Sequence, residues 1–136
     1  MFIINDMELL ARLGKYKILS NILPRFSISI SAIRLGDYSY MLKKEIQIHS
    51  LLTMCYPDDG FDMWVTGKRE NASIGDLSSI YLAKTQDLSI VLSNEDTHLE
   101  HVARAAEVLY ITFDDFILRT VQDQYMVQIY NLIKAA

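Results

Sequence analysis

The chain has 136 residues, a formal charge of −4, and 51% hydrophobic against 22% charged residues. That length holds one compact domain, read here as residues 1–136, and the balance excludes a disordered chain. The negative charge excludes a general attraction to nucleic acid, although a local basic patch or a bound metal can reverse the sign at one site. Cys55 is the only cysteine, which excludes an internal disulfide and a thiolate zinc site. The start, Met1 to Leu10, lacks the basic segment and long apolar run of a signal peptide, and no segment has the apolar length to span a bilayer. The expected setting is a reducing compartment, the cytoplasm.

Phe2-Ile3-Ile4 reads as a short buried strand, with Asn5 placed to cap a helix beginning near Asp6 and Gly14 placed to stop it. A second short helix is expected over Lys15 to Leu23, ended by Pro24, then an alternating strand over Phe26 to Ile30. Ala32 to about Met54 carries a helical pattern, and Tyr56-Pro57-Asp58-Asp59-Gly60 is a turn. Phe61 to Lys68 is either a short helix or irregular. Helices follow over Ser73 to Lys84, Thr97 to Ala106, from Thr112, and over Asp123 to Lys134. Between them Leu88 to Leu92 and Val108 to Ile111 read as strands. Strands alternating with helices predict an α/β fold, with a mostly parallel sheet and helices on both faces.

The placement of acids against this pattern carries the chemistry. Asp6 follows the first strand, Asp96 follows the strand Leu88 to Leu92, and Asp76 opens the helix before it. Carboxylates at the carboxyl ends of parallel strands lie where such sheets place their ligands, and several converging there would hold magnesium or manganese. Two such ions can supply both a nucleophilic water and charge stabilisation for phosphodiester hydrolysis. Each acid also has a plain helix-start explanation. Ser73-Ile74-Gly75-Asp76 fits a capping box, and Asp6 and Asp96 suit the positive end of a helix dipole. The histidines of His98-Leu99-Glu100-His101 are three apart, without a third ligand, and read as an exposed helix face. Arg34, Lys43, Lys44, Lys68 and Arg69 are the candidate phosphate contacts, with scattered solvated charges as the simpler account.

Three stretches, in order, resemble a PIN domain, the fold of many metal-dependent ribonucleases and of toxins in toxin–antitoxin pairs. They are Phe2-Ile3-Ile4-Asn5-Asp6, then Gly75-Asp76-Leu77-Ser78-Ser79, then Val91-Leu92-Ser93-Asn94-Glu95-Asp96. The resemblance implies a three-layer fold and a magnesium- or manganese-dependent ribonuclease with an RNA substrate. It also implies an antitoxin-like protein partner and pairing into a homodimer. Asp6, Asp76 and Asp96 would be ligands and Glu95 a helper. The family's acid after the second strand has no match in Ser31-Ala32-Ile33-Arg34-Leu35-Gly36-Asp37. Asp37 or Glu45 would have to serve as the further metal ligand. That departure motivates an alternative, a PIN-like module that binds RNA or protein without cutting. A receiver-like domain is a third reading, weakened by the lack of paired acids after the first strand. In the last helix Met126, Ile129, Tyr130 and Ile133 form the core face, leaving Tyr125 and Leu132 outside. With Tyr38, Tyr40 and Met41, these predict an exposed apolar surface for a partner.

Overall fold

A computed structural model of the chain describes residues 1–134. Among them five parallel strands form one sheet in the order β3-β2-β1-β4-β5. They are β1 (Phe2–Ile4), β2 (Ile28–Ser31), β3 (Thr53–Cys55), β4 (Ser89–Leu92) and β5 (Tyr110–Thr112). The helices between and after them are α1 (Met7–Lys15), α2 (Ile18–Ile22), α3 (Ala32–Gly36), α4 (Tyr40–Gln47) and α5 (Gly60–Val65). α6 (Ile74–Gln86), α7 (Thr97–Ala105), α8 (Phe113–Thr120) and α9 (Gln124–Ile133) complete the set.

The two-residue period of a strand divides the sheet's side chains between two cores. Phe2 and Ile4 of β1 point to one face with Ile28, Ile30, Val91 and Ile111, and that face is covered by α1, α2, α8 and α9. Ile3 points to the other face with Ile90 and Leu92, under Ile80 and Ala83 of α6 and Leu99 and Ala103 of α7. Burial on both faces explains why β1 and the Ile90–Leu92 part of β4 read as continuous apolar runs. Ile3, Ile4, Ile90, Val91 and Ile111 are all buried, as the sequence predicts. Fully burying one such side chain is worth roughly 1.5–3 kcal/mol, so the three residues of β1 anchor the centre of the sheet.

Three expectations are corrected. The helical pattern over Ala32 to Met54 is not one helix. Asp37 ends α3, the Ser39 hydroxyl accepts from Leu42 N to start α4, and the chain then enters β3 alongside β2. The cap of α1 is Asp6, whose carboxylate accepts from Leu9 N, and not Asn5, which is buried. Gly14 does not stop α1. The helix continues to Lys15, and Lys17 takes the left-handed conformation at the junction with α2. Elsewhere the segment Phe61 to Lys68 opens as a short helix, α5, and α9 buries Tyr130 and Ile133 while Tyr125 and Leu132 stay exposed. Tyr38 is partly buried against the core and does not join the exposed surface. No helix of the described residues is long and apolar enough to cross a membrane.

Candidate functional site

Because all strands run the same way, the segments leaving β1, β2, β4 and β5 emerge along one edge of the sheet. Asn5 and Asp6 leave β1, Arg34 lies one turn into α3 after β2, Ser93 to Asp96 leave β4, and Asp114 opens α8 after β5. The N-terminus of α6 brings Asp76 to the same edge, since Asn5 Nδ2 donates to Asp76 Oδ1 at 2.8 Å. This is the position at which open α/β sheets bind ligands.

Two polar clusters form there. The first is built around Arg34, which is partly buried. Its Nε donates to the Asn5 carbonyl at 3.1 Å and lies 3.5 Å from Asp76 Oδ1, and its Nη1 lies 3.5 Å from Asp37 Oδ2. The guanidinium also covers the Tyr38 ring, 4.9 Å from its centroid. Burial raises the Tyr38 hydroxyl pKa against the lowering effect of Arg34. Gly75 makes the close approach possible, because a Cβ there would stand 3.2 Å from Arg34 Cδ and would collide with the Asp37 carboxylate. Underneath, Ser31 and Ser78 hydroxyls meet at 2.5 Å, and Ser78 donates to Gly75 O at 2.6 Å. They tie the start of α3 to α6. Ser73 caps α6 through Asp76 N at 3.1 Å, the cap half of the box read in the sequence, while the Asp76 carboxylate turns to Asn5 and Arg34.

The second cluster lines a cleft of about 480 Å³ between the β4–α7 loop, α1 and the end of α9. Asp6 Oδ2 accepts from Ser93 Oγ at 2.7 Å, and its Oδ1 caps α1. Glu8, Glu95, Arg12 and Lys134 also line the cleft. Asp114 Oδ1 accepts from Tyr130 at 2.8 Å, Lys134 at 2.9 Å and Asn94 at 3.2 Å. Burial works to raise the Asp114 pKa, but the donors from Lys134, Tyr130 and Asn94 outweigh it and hold the carboxyl below its ordinary range. Burial, with Asp114 alongside, drives the Tyr130 hydroxyl well above its own.

The acids singled out in the sequence are therefore distributed. Asp6 and Glu95 line the cleft, and Asp76 and Asp37 meet Arg34. Asp96 caps α7 through Leu99 N at 3.1 Å. Glu45 lies exposed on α4, away from these contacts. Among the described residues no three His, Cys, Asp or Glu side chains come together in an arrangement that could hold a metal ion. The donor set gives the reason. Asp76 Oδ1 already receives an amide N–H and faces a guanidinium, and both Asp6 oxygens accept hydrogen bonds from protein groups. A hard divalent cation needs several free oxygens converging, so the side chains as arranged do not fit one. Among the described residues, Asn5 Oδ1 and Ser79 Oγ are buried without a hydrogen-bond partner. Two further residues take part beyond their reading from sequence. Arg34 reads there as a candidate phosphate contact with a solvated charge as the simpler account, not as a partner of the acids, and Asp114 is not singled out, although Asp114 at the start of a helix after a strand repeats the pattern of Asp6.

What these observations define is an α/β protein with a five-stranded parallel sheet and flanking helices, in a strand order consistent with a PIN-like topology. No family model matches the chain, and no curated protein matches it.

Proposed function

We propose that this protein is a PIN-like binding module that engages RNA or a protein partner at the carboxyl edge of its sheet and does not cleave through metal-bound carboxylates. The observation that carries this reading is Arg34. Its guanidinium lies between Asp76 and Asp37, 3.5 Å from an oxygen of each, and supplies the counter-charge that a cation would otherwise bring. A fixed guanidinium neutralises the acids while offering no open coordination position. Calorimetric titration of the purified protein with magnesium or manganese at millimolar concentration should give no binding heat, and an RNA pool incubated with either ion should remain intact. Arg34→Glu should bring detectable manganese binding, because it replaces the internal cation with a further carboxylate. Binding heat and metal-dependent cleavage in the unaltered protein, both abolished by Asp6→Asn, would overturn the proposal.

The second reading is a magnesium- or manganese-dependent ribonuclease, the toxin of a toxin–antitoxin pair. It is favoured by the shared edge on which Asp6, Asp76, Glu95 and Asp114 all lie, and by the open cleft beside Asp6. In that reading Asp6 and Asp76 hold the metal once Arg34 swings onto the substrate phosphate. The same cleavage assay decides between the two.

A further inference from the structure

We infer that a cavity beside α7 is a binding site for a small aromatic carboxylate. It has a volume of about 300 Å³ and is lined by α7 and by the chain at and beyond the end of α5. From α7 come His98, His101, Val102 and Ala105, which follow i, i+3, i+4, i+7 spacing and so share one side of the helix. Trp64, Lys68 and Asn71 supply most of the remaining lining. None of these residues lines the cleft beside Asp6, and the inference does not depend on whether the strand-end acids bind metal.

Charge selects the sign of the ligand. The chain carries −4 overall, and the cleft at the strand ends and the cavities beside α5, β5 and α9 each have an Asp or Glu in their lining. This cavity has neither, and has a lysine and two histidines instead. The Lys68 ammonium donates to the Trp64 carbonyl at 2.8 Å and stands over the Trp64 ring, 4.7 Å from its centroid. An ammonium has three donors, and among the described residues no carboxylate pairs with this one. The Asn71 carbonyl can only accept, so His98 Nε2 donates to it and the ring is held in place. His101, one turn on, is exposed and has an N–H to offer in either tautomer. Lys68 and His101 are therefore the donors left for an anion.

The apolar lining selects the rest of the ligand. Trp64, Val102 and Ala106 are partly buried and pack on the core beneath α6 and α7. Phe61 and Tyr81 hold the indole, with ring centroids 6.4 and 5.3 Å from its own, so this wall is formed before any ligand arrives. An indole with two imidazoles suits a planar ring, whose contact adds to plain area burial. The volume is at the lower end for ligand pockets. It has room for one ring and a short acid arm, and too little for a nucleotide or a peptide.

Trp64 is the chain's one tryptophan, so its fluorescence reports on the cavity directly. Titration of the full chain with phenylacetate should give a saturable change with a Kd of about 1 mM or tighter, and calorimetry should agree. Phenylacetamide has the same shape without the charge and should bind about tenfold more weakly. Hexanoate has the charge without the ring and should bind about threefold more weakly. Ala105→Leu, at an exposed helix position, should fill the cavity and abolish binding. Lys68→Met should weaken phenylacetate about tenfold and leave phenylacetamide unchanged. Circular dichroism melting confirms that both variants fold. No saturable signal by either method at tens of millimolar phenylacetate overturns the site. Phenylacetamide or hexanoate binding as well as phenylacetate overturns the stated ligand class, and an unaffected Lys68→Met overturns the anchor. Binding that survives Ala105→Leu puts the ligand elsewhere and overturns the assignment.

Discussion

Replacing Arg34 with methionine removes the guanidinium and keeps most of the aliphatic stem. Four contacts are lost, and their magnitudes can be worked one at a time. The Nε–H to the Asn5 carbonyl, 3.1 Å long, is a charged donor on an acceptor whose residue is only 4% exposed, worth about 1.5 kcal/mol. The pair with Asp76 is long at 3.5 Å and each side chain is 20% exposed, so about 0.5 kcal/mol is the fair figure. The partner Asp37 is 46% exposed and adds nothing measurable. Covering the Tyr38 ring adds about 0.5 kcal/mol. Allowing for non-additivity, Arg34→Met should lose about 2 kcal/mol in urea unfolding at neutral pH, or about 8 °C in Tm. Arg34→Lys should recover less than half of this, because an ammonium cannot reach the Asn5 carbonyl and Asp76 from the same stem. A loss below about 0.5 kcal/mol would mean that the guanidinium spends its time in solvent. Arg34 would then supply no fixed counter-charge to Asp76, and a metal at these acids would meet no competing cation.

Other outcomes follow from the same geometry. Ile4→Ala, in the central strand and fully buried, should cost about 3 kcal/mol in denaturant unfolding without altering the exposed edge; a cost below 1 kcal/mol is the contrary result. Ser78→Ala leaves the buried Ser31 O–H without its acceptor, although Ser31 Oγ still accepts from Arg34 N, and should cost about 1–2 kcal/mol by the same measurement. Asp114 is held below its ordinary pKa of 3.8, so its stabilising contribution is present above that value and is lost as pH falls through the lower folded one. Asp114→Asn should therefore be less stable than the unaltered protein at neutral pH and converge with it in acid, as followed by Tm against pH. Tyr130 is raised from 10.0, so its contribution is complete below that pH and is lost above it. Tyr130→Phe should flatten the alkaline fall in stability, and an unchanged alkaline limb would contradict the burial of the Tyr130 hydroxyl beside Asp114.

The sheet's centre was legible because β1 and β4 are buried on both faces and carry no polar residue to confuse their pattern, apart from Ser89 at the start of β4. β3 was not legible. It is three residues long, lies at the sheet edge with Thr53 exposed, and follows Leu51 and Leu52, which extend the helical spacing of α4. The break that releases it is the capping hydroxyl of Ser39, a local signal that a long apolar pattern obscured. The acids beside strand ends were legible for the same reason as the strands. What they face was not. Arg34 meets Asp76 across 42 positions of chain and Asn94 meets Asp114 across 20, and only the sheet's crossing order brings either pair together. Spacing alone also says nothing of sign, so an arginine in the midst of acids reads no differently from one in solvent.

The position of β1 in the sheet has a kinetic consequence. Ile3 lies between Ser29 and Ile90, so one of its neighbours is nearby in the chain and the other is most of the described length away. Until β4 is delivered, β1 presents an apolar edge with unpaired backbone groups, and the α6 side of its surface is bare. Loop closure over that distance must precede the reward of pairing, which slows folding of parallel sheets and prolongs exposure of sticky intermediates. The half made of β1, β2, α1 and α2 is local and can form early. The docking of β4 under α6 is then the expected slow step, and its rate would set how long this chain stays open to aggregation.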